Sequence, residues 1–270
     1  VKGQPALCSF LLAIPPLPLM LTLVGVPDPG NSGAYLYSPA FAQVLSPILT
    51  LDWPVFMAIW TAALIGVLLV LAGPLLFVLL LPIAFFEIWG GNIHLLLAIA
   101  IVIGFRHPAA WSFVLLTKVT PGVGLLWFAV RKEWRHLAVA LAATLAVLAV
   151  SLLIDPQAWR GWLNLLTRQV GAEGYAHGSI PIPLGLRLPL AAIIVVVGAA
   201  TDRKWLVPVA ALMAMPVLWW GGLSVLIGSV ALERSRIEPT VMRAIDRALQ
   251  PVRDLRRPSP TQTWIPEAES

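Results

Sequence analysis

Three charged side chains, those of Glu87, Arg106 and Lys118, interrupt an otherwise uncharged apolar stretch between residues 54 and 130. An isolated charge in lipid is costly unless it reaches water, pairs with an opposite charge or faces a functional cavity. Arg106 lies in a polar FRHP turn, and a place at a membrane boundary explains it. Glu87 and Lys118 either form an ion pair that stabilises packing, or Lys118 binds a phosphate that enters from the bilayer.

Further hydrogen-bonding groups lie close to these two charges in the sequence. Lys118 precedes a Thr-Pro-Gly break, and backbone donors at the start of a helix expected near Val123 would help it to bind a phosphate. The segment GGNIH places Asn92 and His94 at the start of an apolar run. Asn92 either caps that helix or, like His94, contacts a sugar or a phosphate.

Asp28 is an acid in the first polar loop, within PDPG. It is either a turn residue or a general base toward a sugar hydroxyl. The sequence contains no Walker loop, dinucleotide fingerprint, HExxH motif or Cys/His cluster, so it predicts neither a cofactor nor a metal.

The elements that carry these residues are predicted from composition to lie in a membrane. Of the 270 residues, 59% are hydrophobic and 11% are charged, whereas about a quarter are charged in soluble domains. The formal charge is +5, but the basic residues are dispersed at the ends of apolar segments and in the tail. This pattern favours orientation in a bilayer and contact with anionic lipid over nucleic-acid binding. We therefore predict an all-α, polytopic integral membrane protein.

The N-terminal part is expected to contain an irregular first span, over residues 6–26, which is not a signal peptide. Because the chain starts at a valine, we expect the sequence to begin inside a longer reading frame, with its N-terminus truncated. Residues 26–54 lack Lys and Arg, which predicts a non-cytoplasmic loop, and residues 41–49 within it are expected to form a helix along the membrane surface. A full span is predicted over residues 53–72.

The middle of the chain is expected to fold into two broken pairs of helices. Segments 75–88 and 93–105 form one pair, with residues 89–92 at its tip. In the second pair, basic clusters flank residues 109–130 at both ends, and a single straight helix would place one cluster outside. If 109–117 rises and 122–130 descends, both clusters stay cytoplasmic. This hairpin places Lys118 toward the extracytoplasmic half of the membrane.

The C-terminal part is predicted to alternate spans and polar connections. Residues 137–154 form a span, and 155–189 a polar connection whose first half is an interfacial helix, with Arg160 available to a headgroup or phosphate. A descending segment over 190–200 leads to a segment over 206–231 that MPVLWWGG interrupts. We expect a transmembrane domain over 1–232 and a basic cytoplasmic tail over 233–270, helical and amphipathic in part and disordered at its end.

Three segments resemble the polytopic glycosyltransferases of family 87, in the GT-C superfamily. They read AYLYSPAFAQVLSPI, WGGNIHLLLAIAIVIGF and LLTKVTPGVGLLWFAVRKEWRHL, and GAATDRKW and MPVLWWGG extend the similarity over most of residues 34–232. The resemblance implies a GT-C-like bundle of about 8–10 full or broken transmembrane helices with interfacial helices.

The resemblance also implies an activity. Relatives take a sugar, often mannose, from a polyprenyl-phosphate carrier and invert the anomeric centre as they pass it to an extracytoplasmic lipid or glycan, at a bacterial plasma membrane. It implies Asp28 as the catalytic base and Lys118 as a contact to the donor phosphate. The residues predicted to bind the donor phosphate or sugar are Lys118, Glu87, Asn92, His94, Tyr37 and Arg160. The first loop is shorter than in relatives, which puts the equivalence of Asp28 in doubt.

Two other functions remain open at this point. Broken helices and an intramembrane Lys/Glu pair would also suit a transporter or lipid flippase, although the sequence shows no convincing inverted repeat. A catalytically inactive, truncated envelope protein is the third reading, favoured if Asp28 is dispensable.

Overall fold

The structure, a computed structural model, describes residues 37–169, 182–218 and 220–255, and these form helices without a β-strand. The predicted all-α class is therefore confirmed for the described part of the chain. The α-helices are α1 (Pro39–Leu45), α2 (Trp53–Gly90), α3 (His94–Gly104), α4 (Trp111–Thr117), α5 (Leu126–Val130), α6 (Trp134–Ile154), α7 (Pro156–Gln169), α8 (Leu184–Ala200), α9 (Leu206–Met213) and α10 (Ile227–Leu255). Short 3₁₀ segments occupy Ile48–Thr50, Pro108–Ala110, Thr120–Leu125 and Trp220–Leu226.

Helix α2 is broken at Gly73, where the predicted first span ends. Gly73 adopts φ 70° and ψ 167°, a conformation that only glycine takes up without strain, and Pro74 follows it. The first arm of α2 thus matches the predicted span over residues 53–72. Its second arm carries the segment predicted over 75–88.

The second arm of α2 and helix α3 are joined by the tight turn expected at residues 89–92. Gly91 has a left-handed φ of 62°, and its N–H donates to the Ile88 carbonyl at 3.3 Å. The Trp60 Nε1–H, from the first arm, donates to the Gly91 carbonyl at 2.8 Å. The first arm of α2 therefore holds the turn that connects the predicted pair.

Helices α4 and α5 form the predicted hairpin. The rings of Trp111 and Phe128 lie 6.3 Å apart, centroid to centroid, and a Cβ on Gly122 would meet the side chain of Leu115. At the base of the hairpin, Phe105 packs on Trp127 with a centroid distance of 5.3 Å. The two arms thus fold back on each other, and the segments that carry the two basic clusters meet at one end.

Two helices are long and apolar enough to cross a membrane, namely α2 and α6. A core helix of a soluble protein would pass the same test of length. Helix α6, however, exposes Leu145, Val150 and Leu153, the last at 85%, and such a surface calls for an apolar environment. Four shorter apolar helical segments accompany them: His94–Gly104, Pro108–Thr117, Thr120–Val130 and Leu184–Ala200. The predicted number of 8–10 spans stays a prediction.

Both predicted interfacial segments contain helices. Helix α1 buries Phe41, whose ring lies 5.8 Å from that of Phe113, but leaves Val44 exposed, so its apolar residues divide between two faces. Helix α7 buries Trp159, which donates from Nε1 to Ser151 Oγ at 2.9 Å. These anchors hold both helices against protein, and their position relative to a membrane stays a prediction.

Helix α8 begins at Leu184, so the predicted boundary between a polar connection ending at 189 and a span starting at 190 was wrong. The reason is Arg187, which lies inside the helix although it is charged. It is 3% exposed, and its guanidinium donates to the carbonyls of Ile182, Met213, Met215 and Pro216 at 2.8, 2.9, 2.7 and 3.2 Å. Four backbone acceptors thus allow an arginine where hydropathy alone predicts a loop.

The chain divides into two compact units, Val1–Leu232 and Glu233–Ser270. The described residues of the second unit belong to helix α10 and form local ion pairs, such as that of Arg236 with Glu233 at 2.9 Å. The first predicted span at 6–26 and the tail end expected to be disordered lie outside the described residues. The membrane location of the first unit and the cytoplasmic location of the tail stay predictions.

Candidate functional site

Four of the predicted site residues come together at the ends of different helices. Glu87 lies in the last turn of α2, and His94 is the first residue of α3, across the Gly91 turn. Lys118 follows the end of α4 at the tip of the hairpin, and Tyr37 lies just before α1. The cluster of Tyr37, Glu87, His94 and Lys118 is referred to below as the lysine cluster.

The Glu87 carboxylate caps the start of α3. Its Oε1 accepts the backbone N–H of His94 and that of Leu95, the latter at 3.3 Å, and its Oε2 lies 2.9 Å from His94 Nδ1. Both Glu87 and His94 are fully buried. A carboxylate at this place satisfies donors that a helix leaves open at its N-terminus and interacts favourably with the helix dipole.

Asn92 does not cap α3, because Glu87 does so instead. The Asn92 side chain is 3% exposed, and its Nδ2 is a buried donor without a partner among the described residues. Thr120 Oγ1, in the break after Lys118, is a second such atom. A buried polar atom without a hydrogen bond costs about 1–3 kcal/mol, so a water or a ligand is the expected partner for each. The capping alternative for Asn92 is thus wrong.

The imidazole of His94 lies between the charges of Glu87 and Lys118. His94 Nε2 is 2.8 Å from Lys118 Nζ, on the opposite side of the ring from the contact to Glu87. One of the two predicted alternatives was a direct ion pair of Glu87 with Lys118. In the structure each of these side chains instead contacts the His94 ring, which separates them. One carboxylate and one ammonium still compensate each other, which reduces the cost of keeping both away from water.

The Lys118 ammonium also lies near an aromatic face. Its Nζ is 5.8 Å from the centre of the Tyr37 ring, within the range of a cation–π contact. Tyr37 is buried, whereas Lys118 keeps part of its surface exposed. His94 and the Tyr37 ring thus hold the ammonium, while the lysine residue as a whole stays partly exposed.

The backbone after Lys118 does not form the predicted helix start near Val123. Residues 120–125 form a 3₁₀ segment, and the α-helix starts only at Leu126. The Gly122 N–H already donates to the Val119 carbonyl at 2.9 Å. Pro121 and the two glycines that follow it, Gly122 and Gly124, favour this tighter segment. Backbone donors at a helix start near Val123 are therefore not available as predicted.

Two predicted site residues are not joined to the lysine cluster. Arg160 lies exposed on α7, and no contact within the described residues links it to Lys118. Asp28 lies outside the described residues. Among the described residues, no group of three His, Cys, Asp or Glu side chains is placed to hold a metal ion.

Sequence reasoning missed the contacts of Arg187. The available signal was an arginine inside the apolar segment LGLRLPL, which resembles Lys118 in being a charge without an acidic neighbour. Three of its four acceptors, the carbonyls of Met213, Met215 and Pro216, hold the start of α8 against the end of α9 and the break that follows it. We interpret the role of Arg187 as structural, because its guanidinium donates its hydrogen bonds to backbone carbonyls.

Neither the curated proteins nor the solved structures that were searched include a match to this chain. The family model described as glycosyltransferase family 87 matches residues 35–232, which is more than half of the chain and includes the whole lysine cluster. The chain therefore belongs to glycosyltransferase family 87, and its family activity is that of a glycosyltransferase.

Proposed function

We propose that the protein transfers a sugar, mannose being the first to test, from a polyprenyl-phosphate donor to an extracytoplasmic lipid or glycan acceptor with inversion. It does so as a multi-pass protein of a bacterial plasma membrane, with the site on the extracytoplasmic side. The observation that carries this proposal is the position of Lys118, a partly exposed residue at the tip of a broken hairpin in an apolar chain. No other described lysine has a histidine and a tyrosine ring holding it in this way.

Lys118 is the proposed ligand of the donor phosphate. A lipid-linked donor brings its phosphate to the membrane surface or just below it, and a single ammonium there compensates the charge of a phosphodiester. When the bond between the sugar and the phosphate breaks, the electron pair stays on the phosphate oxygen. The leaving polyprenyl phosphate then carries more negative charge than the donor, and Lys118 stabilises that charge.

Asn92 and Thr120 are proposed to supply hydrogen bonds to the sugar or the phosphate. Both have buried polar atoms without a partner in the described structure. Their proximity in the chain to His94 and Lys118 supports a role in the same site. Asp28 stays the proposed base: it would accept the proton of the acceptor hydroxyl as that oxygen attacks the anomeric carbon, which produces inversion in a single displacement.

The first experiment measures transfer of radiolabelled mannose from polyprenyl-phosphate mannose in membranes that contain the protein. Lys118→Met keeps the length of the side chain and removes its charge. Loss of one charge-assisted hydrogen bond of about 1.5–3 kcal/mol should raise the donor KM about 10- to 150-fold. Lys204→Met is the matched control, because Lys204 lies beside Phe105 at the base of the hairpin and should leave the donor KM unchanged.

A wild-type donor KM in Lys118→Met would remove the phosphate role of Lys118. Absence of transfer by the wild-type protein with lipid-linked mannose, glucose, galactose and arabinose would contradict the proposed donor class. An Asp28→Asn variant with unchanged kcat would show that another group is the base.

A further inference from the structure

We infer, resting on the proposed function, that Glu87 and His94 are positioning residues that fix the direction of the Lys118 ammonium through one defined tautomer of the His94 ring. The hydrogen bonds of Glu87 and Lys118 determine which nitrogen of the His94 ring carries the proton.

The Glu87 carboxylate is fixed in orientation. Its Oε1 accepts two backbone N–H groups, of His94 and Leu95, and these donors cannot turn away because they belong to the first turn of α3. Its Oε2 is thereby directed at His94 Nδ1, 2.9 Å away. An ionised carboxylate only accepts hydrogen bonds, so Nδ1 carries a proton.

The other side of the ring imposes the same tautomer. Lys118 Nζ lies 2.8 Å from His94 Nε2, and an ammonium only donates. Nε2 must then carry the lone pair that accepts this bond. A neutral ring protonated at Nδ1 satisfies both neighbours, whereas a ring protonated at Nε2 would face a donor with a donor and an acceptor with an acceptor.

The consequence for Lys118 is a fixed ammonium. A lysine side chain has a flexible four-carbon stem, and holding it in one place costs conformational entropy. The bond to His94 Nε2 and the contact with the Tyr37 ring restrain it before any ligand arrives. The ammonium is therefore preorganised for an anion, and Glu87 acts on that anion only through His94.

Glu87→Gln is the sharpest test, because it changes the tautomer without changing the shape. The glutamine Oε1 is expected to keep the two backbone N–H groups, which leaves its NH₂ directed at Nδ1. Nδ1 must then accept, and the proton moves to Nε2, where it opposes the Lys118 ammonium. Replacement of a carboxylate by an amide beside a catalytic histidine reverses the tautomer in the same way in serine proteases.

The experiment uses the full chain in detergent or nanodiscs with ¹⁵N-labelled histidine. NMR reads the protonation of each ring nitrogen, and the His94 signals are those that disappear in His94→Gln. The expected wild-type state is a protonated Nδ1 and an unprotonated Nε2, with the reverse in Glu87→Gln. This reading needs no enzymatic activity, so it succeeds or fails independently of the proposed function.

The kinetic part compares Glu87→Gln, Lys118→Met and the double variant with lipid-linked mannose. Glu87→Gln should raise the donor KM about 10-fold, the effect of one misdirected hydrogen bond. Since Glu87 acts through Lys118, Glu87→Gln should have no further effect on the donor KM in the Lys118→Met background. His94→Gln, whose amide offers both a donor and an acceptor, should retain a lower donor KM than His94→Ala.

Three results would overturn the inference: a wild-type ring protonated at Nε2, a wild-type ring protonated at both nitrogens, or multiplicative effects of Glu87→Gln and Lys118→Met on the donor KM. If Glu87→Gln fails to fold, the wild-type NMR reading and the comparison of His94→Gln with His94→Ala still decide. An inactive wild-type protein with the expected tautomer would refute the proposed donor and leave the positioning pair in place.

Discussion

Gly124→Ala should destabilise the hairpin that presents Lys118, because Trp111 occupies the space where a methyl group would go. A Cβ at residue 124 would lie 2.9 Å from Trp111 Cζ3, 3.0 Å from Val207 Cγ1 and closer still to Trp111 Cη2. Trp111 is fully buried and cannot move into solvent. Gly104 lies against the other edge of the same ring, where an added Cβ would be 2.6 Å from Nε1. The indole is thus held between two glycines.

The size of the effect follows from two opposing contributions. Overpacking a well-filled core costs about 1–3 kcal/mol, and the contacts around residue 124 place it near the upper limit. Replacing glycine by alanine in a helical conformation also stabilises the protein by about 0.4–1 kcal/mol, because it reduces the conformational entropy of the unfolded chain. The net loss of about 2 kcal/mol corresponds to a fall in Tm of roughly 4–8 °C for a chain of this size.

The assay is thermal unfolding of the purified protein in one detergent, with Gly66→Ala as the matched control. A Cβ at residue 66, also within a helix, would meet nothing within 4 Å, so its Tm should stay the same or rise slightly. Trp111→Phe removes Cη2 and Cζ3, so Gly124→Ala should cost less in that background than in the wild type. Equal Tm values for Gly124→Ala and Gly66→Ala, or strict additivity with Trp111→Phe, would refute the packing argument.

Two further predictions concern charges outside the lysine cluster. Arg187→Met should lower the free energy of unfolding by roughly 3 kcal/mol, because it leaves four carbonyl acceptors without their donor, and chemical denaturation should show no comparable loss for the exposed Arg106→Met. Equal losses for the two variants would mean that the carbonyl contacts contribute little. Lys132→Gly should raise the Tm, since Lys132 has a left-handed φ of 58° that costs a non-glycine residue about 1 kcal/mol. Ala142→Gly, at an exposed position in the middle of α6, should lower the Tm, because glycine in a helix costs about 1 kcal/mol of stability relative to alanine. A lower Tm for both variants would contradict the argument that the left-handed φ of Lys132 destabilises the protein.

The breaks in the helices could be predicted because their causes are local. Gly73 followed by Pro74 ends the first arm of α2, and the Gly-Gly turn after Trp89 reverses the chain. The hairpin around Lys118 followed from the placement of basic residues at both of its ends. Each of these signals acts over a few residues, so neighbouring sequence is enough to read it. The start of α8 could not be read in this way, because three of the four carbonyls that accept hydrogen bonds from Arg187 come from residues 26 to 29 positions later.

The sequence by itself determined that a carboxylate and an ammonium, Glu87 and Lys118, lie in an apolar chain and need a reason to be there. Only the tertiary structure decided how they are related, with the His94 ring between them. That relation depends on three helix ends meeting within hydrogen-bonding distance. Distances of this kind are set by the packing of whole helices against one another. Charge and hydropathy, which can be read from the sequence, show only that burying these two charges costs free energy that their contacts must offset.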